Sequence, residues 1–160
     1  MHGTMDFDQM KRILAGFEHH KVEYVLVGGM AMAAQGLVRA TRDIDVVISA
    51  AADNVERLKT ALRELFDDPE IDSIRADELA GDYPAIQYVP PGCDFWIDIL
   101  ARLGEAFRFS NLESEECMIE GVRVRVATPR TLYRMKRDTI RPQDRLDAEV
   151  LRERFSLKEE

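Results

Sequence analysis

The chain reads as an α+β fold: a small mixed sheet with helices packed on it and a helical C-terminal end. Apolar residues recur at helical spacing in several segments, the first being Phe7, Met10, Ile13, Leu14 and Phe17. Between those segments lie apolar runs of strand length, among them Val25 to Val27, Asp45 to Ser49 and Phe95 to Leu100. Near the C-terminal end Val122, Val124 and Val126 alternate with Arg123 and Arg125, the period of a strand with one buried face.

In chain order, the first stripe predicts an amphipathic helix from about Asp6 to His20, and Met1 to Thr4 are set aside as a remnant of expression. Val25 to Val27 form the first strand, Gly28 and Gly29 turn the backbone with no Cβ in the way, and Met30 to Gln35 form a short helix stopped by Gly36. Asp45 to Ser49 is the second strand, in antiparallel or mixed pairing. Asp53 is placed to cap a helix whose buried stripe is Val55, Leu58, Leu62, Leu65 and Phe66, and Asp67, Asp68 and Pro69 end it. Ile71 to Arg75 and Ala85 to Val89 are read as short strands around an acidic loop. After Pro90, Pro91 and Gly92 comes the strand Phe95 to Leu100. Met118 to Val126 predicts a hairpin turned at Glu120-Gly121, and Thr128 with Pro129 behind it predicts a capped helix start. The last helix, from about Asp144 to Phe155, is expected to bury Leu146, Val150, Leu151 and Phe155.

At 160 residues the chain suits one sizeable core, and residues 1–160 are taken as a single domain. No apolar run approaches the roughly 20 residues needed to span a bilayer, and the N-terminus lacks a secretory pattern, so the expected location is the cytoplasm. Cys93 and Cys117 have neither metal-ligand spacing nor a disulfide framework, and the adjacent His19 and His20 point apart on a helix. The formal net charge of −8 argues against a broad, nonspecific grip on nucleic acid. Residues 121–146 depart from that balance, with eight basic side chains, Lys136 among them, against Asp138 and Asp144. Such a segment suits a polyanionic ligand, and it equally suits a solvated helix face.

The chemistry concentrates in Tyr24 to Ile48. A glycine pair opening a helix points backbone N–H groups outward, a field that suits phosphate oxygens. Asp43 and Asp45 stand two apart on a strand, so their carboxylates leave one face with Cα atoms roughly 6.6 Å apart. Hard oxygen ligands at that spacing suit one or two Mg2+ ions carrying triphosphate. Either element alone is ordinary, a plain turn or a solvated strand end.

Together, Val27-Gly28-Gly29, the spacer Met30 to Arg42 and Asp43-Ile44-Asp45 resemble the nucleotidyltransferase superfamily. The form RATRDID, Arg39 to Asp45, is most similar to the branch of AbiEii-type toxins and related small bacterial nucleotidyltransferases. The resemblance implies the nucleotidyltransferase fold and a third carboxylate on a later strand. WIDIL, Trp96 to Leu100, offers Asp98, whose apolar neighbours suggest a central strand where an unpaired carboxylate is costly. Asp94 shares its parity and stays open as the alternative. MKRDTIRPQDRLDAEVL resembles the branch's Lys segment followed by Arg-x-Lys-Asp-x-x-Asp, with Gln143 where relatives carry Lys.

The resemblance implies transfer of a nucleoside monophosphate from a nucleoside triphosphate to an acceptor, with pyrophosphate leaving. It casts Asp43, Asp45 and Asp98 as metal-holding and catalytic residues. Gly28, Gly29, Arg39, Thr41 and Lys136 are expected around the nucleotide, and Asp144 and Asp147 are candidates to orient Lys136 or the acceptor. Helix N-terminal carboxylates favoured by the macrodipole are the plain alternative for those two. The acceptor is left open among an RNA end, a protein side chain and a small molecule. A second functional class keeps the fold without the catalysis: a protein-binding component of a toxin-antitoxin pair.

Overall fold

A computed structural model describes residues 2–37, 43–82 and 84–158, with side chains from residue 7 onward. Helix α1 spans His2–His19, so the helix runs back through the residues set aside above, and its inward face is Met10, Ile13, Leu14 and Phe17 as the spacing predicts. Strand β1 (Tyr24–Val27) leads without a separate turn into helix α2 (Gly28–Ala34): the glycine pair is the first turn of the helix, which therefore begins two residues before the expected Met30. Strand β2 spans Asp43–Ile48 and helix α3 spans Ala52–Leu65. Asp53 lies inside the first turn of α3 and is not its cap. The N-cap is Ala51, and Asp53 instead binds Arg57 one turn on.

Residues 71–75 are not a strand. Asp68 Oδ1 accepts a hydrogen bond from Glu70 N, Pro69 presets the first turn, and Pro69–Ser73 close into a 3-10 helix followed by the short helix α4 (Ala76–Ala80). Strand β3 (Ala85–Tyr88) and strand β4 (Trp96–Leu100) follow, then a small separate hairpin of β5 (Arg102–Leu103) and β6 (Phe107–Arg108). Strand β7 (Ser114–Ile119) pairs with β8 (Val122–Ala127) across Glu120 and Gly121 at φ 45° and 86°, the two positive angles that a two-residue hairpin of matching twist demands. Helix α5 (Pro129–Arg137) is capped by Thr128 Oγ1, which accepts from Thr131 N at 3.2 Å, and helix α6 (Pro142–Arg154) closes the fold.

Six strands form one mixed sheet in the order β3-β4-β2-β1-β8-β7. β2 runs antiparallel to β1 and parallel to β4, so both carboxylate-bearing strands are interior, not at the edge of the sheet. Strand alternation divides them: Ile44, Val46, Ile97 and Ile99 are fully buried on one face, while Asp43, Asp45, Trp96 and Asp98 leave the other. Truncating one such core residue to Ala costs about 2–5 kcal/mol, so the apolar face fixes the register that sets the polar one.

The C-terminal helix departs from its expected stripe. Leu151 is buried and Phe155 half-buried, but Leu146 and Val150 are 62% and 48% exposed, and Asp147 and Ala148 turn inward in their place. Hydrophobicity alone selects the Leu146 face. A buried cation on α5, described below, selects the Asp147 face instead.

Candidate active site

β2 and β4 run side by side in parallel register, Asp43 opposite Trp96 and Asp45 opposite Asp98. Neighbouring strands lie about 4.8 Å apart, so residues in register on one face have their carboxylates within reach of each other. Asp45 is hydrogen-bonded to Asp98, and the Trp96 indole Nε1 donates to Asp98 Oδ2 at 3.1 Å. Asp94 sits at a bend before β4, outside that register.

The Asp45 carboxyl is pushed up to about 8. Burial is the largest cause, followed by the hydrogen bond to Asp98 and the negative charges of Asp98 and Asp43, while Lys136 opposes them. Crowded carboxylates favour holding a proton over accumulating charge. A divalent cation removes the same strain by replacing the proton.

Gly28 closes this corner. Its φ is +72°, and a Cβ there would lie 3.0 Å from Asp45 Cγ and 3.2 Å from Asp45 Cβ, overlapping the carboxylate. β1 pairs Val27 with Asp45, so the register itself brings the glycine over the aspartate. The position demands glycine twice, for its backbone angle and for the space.

The opposite wall comes from α5 and α6. Lys136 Nζ donates to Asp144 Oδ1 at 3.3 Å and to Asp147 Oδ2 at 3.0 Å, and the three side chains are only 12%, 14% and 6% exposed. Thr139 Oγ1 donates to the second oxygen of Asp144, and Gln143 Nε2 to the second oxygen of Asp147, at 3.1 and 3.0 Å. Lys136 is thus not a free ammonium at the rim of a solvated face. It is clamped, and so is each carboxylate that clamps it. Gln143 acts here as a neutral donor.

Between these walls lies a cavity of about 450 Å³, within the range of small-ligand sites. Gly28, Asp45, Lys136, Thr139, Arg141 and Asp144 make its polar part, and Leu100, Leu103, Phe107 and Met135 are prominent in its apolar part. Of the sequence-selected residues, Gly28, Asp45, Lys136 and Asp144 line this cavity, and Asp43 and Asp98 are grouped with Asp45 on the same sheet face. Gly29 is the second residue of α2, while Arg39 and Thr41 lie outside the described residues. Trp96, Thr139, Arg141 and the hairpin residues Leu103 and Phe107 were not selected from the sequence. Only Trp96 carried a readable signal, its shared parity with Asp98.

The family model for the nucleotidyl transferase AbiEii toxin, Type IV TA system, matches residues 12–150. The chain belongs to that family. Nucleotidyl transfer is its reaction class, and the mixed sheet with six α-helices is the architecture its structural neighbours share. ANT(2")-Ia, solved in complex with adenylyl-2"-tobramycin, superposes with a TM-score of 0.59 at 15% identity, covering 92% of this chain and 88% of that one. TM1012 of Thermotoga maritima gives 0.57 at 15% identity over 98% and 96%. The lincosamide antibiotic adenylyltransferase LnuA, lincomycin-bound, gives 0.51 at 17% identity over 85% and 89%. Among curated protein sequences none matches. No helix among the described residues is long and apolar enough to cross a membrane.

Among the described residues no three His, Cys, Asp or Glu side chains gather into a cage for a metal ion. The donor set nevertheless fits Mg2+, which characteristically takes one or two protein carboxylates and completes its shell with water and substrate phosphate. Asp45 and Asp98 supply such a pair, and the raised proton affinity of Asp45 marks a place where positive charge is wanted.

Proposed function

We propose that the chain is a metal-dependent nucleotidyltransferase in which Asp45 and Asp98, with Asp43 beside them, hold Mg2+ under the triphosphate of a nucleoside triphosphate. The observation that carries this reading is the register pairing of Asp45 with Asp98, roofed by Gly28 and faced across the cavity by Lys136. An acceptor hydroxyl attacks the α-phosphorus in line. The new bond joins acceptor oxygen to phosphorus, the bond to the bridging oxygen of the β-phosphate breaks, and pyrophosphate leaves with its electron pair.

Mg2+, when bound, neutralises phosphate charge as it develops. The rest of the work belongs to the chain. Gly28 and Gly29 let backbone N–H groups approach the β and γ phosphates, and Lys136 meets phosphate as a point charge. Arg39 and Thr41 complete the nucleotide contacts. Asp98 takes up the proton of the acceptor hydroxyl, and Asp144 and Asp147 hold Lys136 in place.

We read residues 1–160 as one domain acting on the nucleotide pool of the cytoplasm, and the family's description supports a role as the toxin component of its pair. The test is incubation with each labelled nucleoside triphosphate, Mg2+ and cell lysate, followed by identification of the labelled species. Label transferred to an acceptor and lost in an Asp43→Asn/Asp45→Asn variant that still folds supports the reading. Unchanged labelling by that variant rejects it.

A further inference from the structure

Trp96 is the only tryptophan of the chain, and it stands two residues before Asp98 on the same face of β4, opposite Asp43 on β2. An indole N–H can only donate, and in a half-buried position water could satisfy it. Here it is spent instead on Asp98 Oδ2, at 3.1 Å. Asp98 is also hydrogen-bonded to Asp45, the residue opposite it across the paired strands β2 and β4.

We propose that Trp96 is a positioning residue for the metal site: its N–H holds one oxygen of Asp98 so that the other stays turned toward Asp45. The inference rests on the reading above that this pair holds a divalent cation. Orienting partners of this kind are worth 10–100-fold in metal affinity. The ring's packing could be supplied as well by a phenyl group, but the hydrogen bond could not.

Trp96→Phe keeps an aromatic ring and deletes the donor. Calorimetric titration with Mg2+ in the presence of a non-hydrolysable nucleoside triphosphate is expected to show affinity at least about tenfold weaker than in the unaltered protein, at a similar melting temperature. Equal affinity in the two proteins overturns the positioning role while leaving the metal site standing. No Mg2+ binding by the unaltered protein brings down both. A second measurement needs no variant at Trp96: the emission of this single tryptophan should change with Mg2+ and saturate at the calorimetric midpoint, and the change should vanish in Asp98→Asn. If calorimetry detects Mg2+ while the emission stays constant, the ion does not engage the carboxylate that Trp96 holds, and the proposal fails.

Discussion

The proton on Asp45 gives the proposed metal site a pH dependence whose sign and window follow from its surroundings. An ordinary aspartate titrates near 3.8, but here burial, the hydrogen bond to Asp98 and two neighbouring negative charges push the group up to about 8. A folded-state value above the unfolded one means the folded protein holds more protons between those limits. The stabilising contribution of this group is therefore fully present below about pH 4 and is lost as pH rises through 8, so in the absence of metal it lowers the melting temperature across that window. Mg2+ competes for the same carboxylate. Its apparent affinity should rise up to tenfold per pH unit between about 5 and 8 and level off above, because one proton leaves for each ion bound. Calorimetry at pH 6.5 in two buffers of different ionisation enthalpy should reveal close to one proton released per Mg2+, and at pH 9 close to none. Asp45→Asn should abolish the release and flatten the metal-free stability profile. Affinity unchanged between pH 6 and 8, with no proton released, would refute the argument that the carboxylates share a proton which metal displaces.

Gly28→Ala should destabilise the fold by about 1–3 kcal/mol from its positive φ and should also displace Asp45, so calorimetry on the remaining folded fraction should show weakened Mg2+ binding. Lys136→Met leaves Asp144 and Asp147 buried without their shared cation. Denaturant unfolding should show a loss of about 3–5 kcal/mol, whereas Arg137→Ala, whose partners are the exposed Asp138 and the face of Tyr133, should cost less than about 1. Equal, small losses would mean the Lys136 clamp is absent in solution. In the C-terminal helix Leu146→Gln should be nearly neutral while Leu151→Ala costs about 2–5 kcal/mol, and the reverse order would restore the stripe expected from the sequence. With the metal chelated, nucleoside triphosphate binding should fall at least about a hundredfold, and an unchanged dissociation constant would remove the metal from the reading.

The legible parts of this fold were those where one local rule acts without a competitor. Phe7 to Phe17 are spaced for one helix face and nothing else, Glu120-Gly121 suits one hairpin turn, and Thr128-Pro129 suits one helix start. Misreadings arose where a local signal met a competitor, beside it in one case and distant in sequence in the other. Ile71 to Arg75 has the composition of a strand, but Asp68 and Pro69 just before it close a 3-10 turn first. Leu146 and Val150 outrank Asp147 on any hydrophobicity scale, yet the helix turns the aspartate inward because Lys136, eleven residues back on another helix, is buried there and needs a counter-charge. The same division runs through the site. Asp43, Asp45 and Gly28 announce themselves by spacing within one segment, and Asp98 by its place in an apolar run. Thr139 and the hairpin wall at Leu103 and Phe107 acquire meaning only when the chain returns to the sheet, and no periodicity encodes that return.

The charge of the cleft gives the separate elements a common logic. Among the described residues, the carboxylates of Asp43, Asp45, Asp98, Asp144 and Asp147 stand against two cations, Lys136 and Arg141. A polyanionic nucleotide would be repelled by that balance, yet four of the five acids have a distinct assignment. Asp144 and Asp147 are spent on Lys136, with Thr139 and Gln143 donating to their remaining oxygens, so that pair fixes a cation at a set place. Asp45 is neutralised by a proton and Asp98 is held by two donors. What remains is, on the proposed reading, an arrangement with affinity for a metal: removing a single proton exposes an acidic pair on the sheet, opposite an ammonium already clamped to Asp144 and Asp147. Were Lys136 loosely held, it would collapse onto Asp45 and Asp98, and the metal would have to compete with a lysine rather than with a proton. The clamp on α5 and α6 thereby does for the cation what the register of β2 and β4 does for the carboxylates. It keeps opposite charges apart in a small space, an arrangement that suits the proposed ligand, a divalent ion on a polyphosphate, which carries both.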